Sequence, residues 1–297
     1  MPDSLLYSLH NLTVKSNTVL GDLPPEIWRE IVEISSLSSL SQAAKLTQVS
    51  KSFQIWITPI LLRTAVHYSE YKGWPRKRPS LSWFQQNGTH LRNLLWGIGS
   101  QMGLLVQILE ECPALENLAV WVYIPSHDTG NVHLLRPVLS KLRLRQLSIN
   151  PFALFSTDIF GPEHAKDPMF TSITYFHIIS DIIEWRDITG LAHIPTITHL
   201  AFQYHATRDA VCGALEHCKS LKVLIVLRIS HDSPPKSEFP PNETIDERFV
   251  IISLRTILEW EDSAMGKKGC WDFAEEEISN RRKSEDELLS IMWRSEI

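Results

Sequence analysis

A spacing of large apolar residues, L-x-x-L-x-L, recurs through the middle of this 297-residue chain and limits its possible folds more than any other feature. It falls at Leu91-Leu94-Trp96, Leu115-Leu118-Val120, Leu144-Leu147-Ile149, Ile173-Phe176-Ile178, Ile197-Leu200-Phe202 and Leu221-Leu224-Val226, and again at Phe249-Ile252-Leu254. The first positions are 24, 29, 29, 24, 24 and 28 residues apart. One such triplet means little in a chain that is 43% hydrophobic. Six successive steps inside a window of roughly 20–29 residues mark a structural repeat. A second alignment supports it: Leu109 to Val120 and Leu215 to Val226 share Leu, Glu, Cys, Leu, Leu and Val at the same offsets. Each follows an apolar-periodic stretch that reads as a helix (Leu104, Leu105, Ile108, Leu109; Val211, Leu215). The unit is therefore helix, turn, short strand, and stacking such units closes a continuous core.

Composition fits this reading and removes other classes. The chain holds 37 leucines against 12 glycines, an unlikely setting for glycine-rich phosphate loops. A net charge of −5 argues against nucleic acid as a partner. The one dense basic run, Lys72 to Arg78, is broken by Gly73, Trp74 and Pro75 and reads as a solvated linker. No stretch approaches 18 uninterrupted apolar residues, and residues 1–20 lack a cationic flank before an apolar block. A chain of the cytoplasm or nucleus, with reduced cysteines and no membrane partner, is expected. Cys112 and Cys218 occupy the same slot, three residues before the first leucine of a strand, where a small apolar residue is wanted.

The first seventy residues differ. Leu23-Pro24-Pro25-Glu26-Ile27 opens a helix, with Asp22 near its N-cap and Ile27, Ile31 and Ile34 on one face. A serine-rich turn (Ser35 to Ser41) leads to a short helix with Ala43, Ala44 and Leu46. A third helix carries Val49, Phe53, Trp56 and Ile57 and ends near Pro59. Three short helices over some forty residues are too few for an independent core, so the surplus apolar surface must dock on something.

Leu23-Pro24-x-Glu26-Ile27, then Ile31, then Val49-Ser50-Lys51-Ser52-Phe53, Trp56 and Pro59-Ile60-Leu61 resemble an F-box over residues 20–65, with Phe53 where tryptophan is commoner. The remainder resembles the divergent leucine-rich repeats that follow F-boxes in fungal proteins. Glu259-Trp260, Gly266, Gly269, Trp271 and Phe273 resemble the tail common there. The ninth repeat position departs from the family's Asn or Cys, holding Gly99, Tyr123, Phe152, Asp181, His205 and Ile229. The resemblance implies an α/β chain: a three-helix F-box (20–65), a linker (66–88), an irregular leucine-rich-repeat solenoid of about six to seven repeats (89–255), and a helical C-terminal cap (256–297).

It also implies a non-catalytic substrate-recognition subunit of an SCF (Skp–cullin–F-box) ubiquitin ligase, with a Skp-type adaptor, a cullin-RING ligase and a protein substrate as partners, and no cofactor. Carried over position by position, the adaptor face is Leu23, Pro24, Ile27, Ile31, Leu46, Val49 and Phe53. Strand alternation turns Asn93, Leu95, Asn117, Ala119, Gln146, Ser148, Tyr175, His177, His199, Ala201, Val223 and Ile225 away from the repeat core. From this face and its edge, Trp121, Gln146, Tyr175, His177, His199 and Gln203 form an aromatic and polar set suited to a substrate. A second reading makes them strand residues covered by the tail, with Leu288, Ile291, Met292 and Trp293 as the cover for Val223 and Ile225.

Enzyme signatures are missing from the sequence. His193, His199 and His205 recur at a period that fits neither a helix face nor a strand face, so no metal site is expected. Gly97-x-Gly99-Ser100-x-x-Gly103 misses both the dinucleotide and nucleophile-elbow patterns. Two alternatives stand beside the ligase subunit: a repeat scaffold unconnected to ubiquitin, and a hydrolase with an unrecognised site.

Overall fold

A computed structural model describes residues 23–68, 79–97, 101–122, 131–180, 183–203, 206–229, 246–254 and 257–295. The chain divides into two compact units between Leu61 and Leu62.

The first unit is three helices, α1 (Pro25–Ser38), α2 (Leu40–Leu46) and α3 (Lys51–Leu61). Pro25 suits the first helical position and Glu26 complements the dipole; Asp22 lies outside the described residues. Val32, Ala43 and Ile57 form the small core, with Trp28, Leu46, Phe53 and Leu61 packed on it. The serine-rich stretch is not a long turn. α1 runs through it, and the buried Ser36 hydroxyl donates to the Val32 carbonyl (2.7 Å). Ser39 alone breaks the helix, accepting from the Gln42 amide to cap α2. α3 passes Pro59 to reach Leu61. The carbonyl that Pro59 deprives of a partner belongs to Ile55, which is solvent-exposed.

The second unit is α/β: an eight-stranded, wholly parallel sheet in which every strand pairs with the next in sequence. The strands are β1 (Thr64–Tyr68), β2 (Asn93–Gly97), β3 (Asn117–Val120), β4 (Gln146–Ile149), β5 (Tyr175–Ile178), β6 (His199–Gln203), β7 (Val223–Ile229) and β8 (Phe249–Leu254). Register aligns the repeat: Leu94, Leu118, Leu147, Phe176, Leu200 and Leu224 are successive partners across the sheet. With Trp96, Val120, Ile149, Ile178, Phe202 and Val226 they floor one continuous core. α4 (Leu81–Asn87), α5 (Met102–Glu110) and α8 (Arg208–His217) close that core, as do the one-turn helices α6 (Arg136–Leu139) and α7 (Pro151–Phe155).

Three expectations are corrected. The stretch 66–88 is not only a linker, because it contains most of β1 and all of α4. The triplet before Leu91 is Leu62-Ala65-His67, with Ala65 beside Leu94 and the His67 ring stacked on Trp96. The seventh triplet is misaligned, since Phe249 pairs with Leu224 and Ile251 with Val226. Phe249 and Ile251 face the main core while Val250 and Ile252 pack on the other face. An apolar run buried on both faces carries no alternation from which to set register. Third, the connections from β4 to β6 are not regular helices but 3₁₀ turns (His164–Lys166, Pro168–Thr171, Trp185–Asp187, Thr189–His193). Gly190 is needed there, because a Cβ would strike the carbonyls of Phe160 and Gly161. The C-terminal helices are α9 (Ile257–Ala264) and α10 (Cys270–Ser295). They lie on the strand face opposite the core. None of the described helices is long and apolar enough to cross a membrane.

Candidate functional site

Two surfaces stand out from the sequence, and the structure treats them differently. On the first unit, helical spacing sends Trp28, Val32 and Ser36 inward and leaves Ile27, Ile31 and Ile34 on the outer face of α1. Ile34 is 63% exposed and Val49, in the turn before α3, is 66% exposed. Of the seven residues matched to an adaptor face, Pro24, Ile27, Ile31 and Val49 are exposed. Leu23, Leu46 and Phe53 are half-buried, the last two against the small core. A bare apolar stripe of this kind is what a docking partner covers.

The strand face of the second unit is mostly not open. Asn93, Leu95, Ala119, Ser148, His177, His199, Ala201, Val223 and Ile225 are all buried there. Two apolar pads account for this. Trp260 of α9 packs with Val66, Leu95, Ala119 and Trp121 over β1–β3. Trp271, Ala274 and Ile278 of α10 pack with Ala201, Val223, Ile225, Leu227 and Val250 over β6–β8. Burying side chains such as Val223, Ile225 and Ile278 stabilises by about 1.5–3 kcal/mol each, so the second pad is part of the fold. The cover expected from Leu288, Ile291, Met292 and Trp293 is provided instead by these earlier residues; those four side chains lie outside the described set. Asn93 ties the first pad down, donating to the Ala264 carbonyl (2.9 Å) and the Thr64 hydroxyl (3.0 Å) and accepting from Asn117.

Between the pads the floor is polar. The Trp121 indole donates to Ser148 Oγ (2.8 Å), and Ser148 Oγ lies 2.7 Å from His177 Nδ1. Burial pushes the His177 imidazole down to about 4, so it is neutral at pH 7. One strand further, His199 Nε2 meets Glu275 Oε1 of α10 at 2.8 Å, and its ring stacks on Tyr175 (4.2 Å). Burial lowers the His199 pKa, opposed by the Glu275 carboxylate. The Trp271 ring stands edge-on to both Tyr175 and His199. Asn117, Gln146 and Tyr175 are half-buried, so the polar strip is reached from the side on which the middle strands begin.

Of the six expected substrate contacts, Trp121 and His177 thus join through Ser148, and Tyr175 joins His199. Gln146 lines the half-open edge. Gln203, at the end of β6, stands three strand spacings from Trp121, roughly 14 Å away. Sequence reasoning leaves Trp260, Trp271 and Glu275 out of the face. Their signal is two tryptophans in a segment otherwise rich in charge.

The three histidines do not gather: His193 is exposed, His199 is buried against Glu275, and His205 lies outside the described residues. Among the described residues no three His, Cys, Asp or Glu side chains group to hold a metal. Cys112 and Cys218 are buried at helix–strand junctions, and burial pushes both thiols up to about 12. No protein-family model matches the chain, and no curated protein matches it either.

Proposed function

We propose that this chain is a non-catalytic recognition subunit of an SCF-type ubiquitin ligase, with the first unit as the F-box that docks a Skp-type adaptor. The observation that carries this reading is the bare stripe of Ile27, Ile31 and Ile34 with Val49 beside the motif residues Leu23, Pro24 and Phe53. The second unit is read as an irregular leucine-rich-repeat body that presents a protein substrate to a cullin-bound conjugating enzyme, raising its local concentration there. Because pads cover most of the strand face, substrate contacts fall on its half-open residues, Trp121, Gln146, Tyr175 and Gln203, and on the outer surface. The compartments that suit this role are the cytoplasm and nucleus.

The test is adaptor capture by the full chain and by the double variant Ile27→Asp, Val49→Asp. Both side chains are exposed, so the variant is expected to keep its fold and lose the adaptor. Unchanged co-purification of the adaptor overturns the reading in favour of a repeat scaffold without a ubiquitin connection.

A further inference from the structure

Two buried ring nitrogens, one beneath the C-terminal helices and one on them, have no hydrogen-bond partner among the described residues. His177 is 7% exposed and Trp271 is 6% exposed, and neither His177 Nε2 nor Trp271 Nε1 has a partner among the described residues. The state of His177 follows from its neighbours. The Trp121 indole can only donate, so Ser148 Oγ accepts from it. Giving the Ser148 hydroxyl hydrogen to His177 Nδ1 leaves the fewest buried groups unpaired, since a proton on Nδ1 would leave that hydrogen without an acceptor among the described residues. This assignment satisfies three groups in a chain and leaves the His177 proton on Nε2, as a donor. Trp271 supplies a second donor from α10: its ring contacts Tyr175, which shares β5 and its strand face with His177. A buried unpaired donor costs about 1–3 kcal/mol. Two such donors at one interface ask for an acceptor.

Their surroundings describe it. The strip lies between two apolar pads and is floored by Gln146, Ser148 and His177. At its open edge the Arg145 guanidinium lies 5.6 Å from the centre of the Tyr175 ring, placing a positive charge there; Glu275 is engaged by His199. Neutral N–H donors repel a cation and offer nothing to a hydrocarbon. We propose that this strip is a binding site for a small ligand carrying a carboxylate or amide carbonyl oxygen, held by His177 Nε2–H and Trp271 Nε1–H. It is independent of the adaptor reading.

The experiment is a titration of the full chain, labelled with ¹⁵N in histidine and tryptophan, with sodium acetate and separately with N-methylacetamide at constant ionic strength. The expected result is a saturable shift of both the His177 Nε2–H and Trp271 Nε1–H resonances with one probe. Acetate acting alone identifies a carboxylate ligand, and N-methylacetamide acting alone identifies a peptide-like one. Trp271→Phe, which removes the N–H and keeps an aromatic ring, is expected to weaken the His177 response at least tenfold in probe concentration. The wild-type titration decides the matter even if that variant does not fold. Failure of both resonances to respond saturably, or a cross-peak from each to a bound water only, overturns the site.

Discussion

The outer stripe of the first unit and the strand face of the second are both apolar surfaces that the local fold leaves without a core to join. Among the described residues, one is covered and the other is bare. Over β6–β8, Trp271, Ala274 and Ile278 seal Val223, Ile225 and Val250. On α1, Ile27, Ile31 and Ile34 stay exposed, each at 40% or more. A surface covered from within the chain belongs to stability, and its substitutions unfold the protein. A surface left bare is free to associate, and on the proposed reading its substitutions change what the protein holds.

The comparison breaks first at the roof. Trp271→Ala is expected to lower stability by about 3–5 kcal/mol, from lost burial and a cavity against Tyr175 and Val223, read as the urea midpoint. An unchanged midpoint would mean that the pad is superficial. Next comes pH. The His177 pKa is lowered from 6.5 to about 4, so the native state resists a proton that the unfolded chain accepts. Stability is complete above pH 6.5 and falls as pH drops toward 4, by about 3 kcal/mol in total. Urea melts at pH 7 and pH 5 measure the slope, and His177→Asn is expected to flatten it. Gly190→Ala is expected to cost about 1–3 kcal/mol, because the added Cβ meets backbone oxygen rather than a side chain that can turn away. The smallest effect belongs to the stripe. Ile27→Asp with Val49→Asp should move thermal stability by less than about 1 kcal/mol while removing adaptor capture. A large drop in melting temperature would place these residues with the covered face.

Most of the sheet is legible in the residue spacing alone, because L-x-x-L-x-L encodes both the strand and the face it buries. Leu118, Leu147 and Phe176 stand in the register their spacing predicts. The failures have physical causes. β1 places Ala65 and His67 in core slots, and neither residue type signals a strand interior. β8 is apolar on both faces, so the spacing puts its register wrong by three residues. The strand face is legible as a list but not as a state. Alternation says which residues leave the core; it does not say which later residues land on them. The run of Leu95, Ala119, Ala201, Val223 and Ile225 on that face is the available hint, being too apolar for open water. The polar strip is partly legible, since alternation puts Gln146, Ser148, Tyr175 and His177 on one face, while its second wall, Trp271, carries no such mark.

The link from Asn93 to the Ala264 carbonyl spans 171 residues, and it sets a schedule as well as a geometry. Each strand needs only its immediate predecessor, so the sheet can assemble in the order of synthesis. Its outer face cannot be finished until α9 and the first half of α10 have been made. At about 5–20 residues per second, translation of this last stretch leaves a sticky parallel sheet uncovered for several seconds on every ribosome. A premature stop after Leu254 would make that interval permanent. Such a product would keep its strands and the Asn93 side chain, with no carbonyl for Asn93 to meet, and its fate would be capture by chaperones or aggregation.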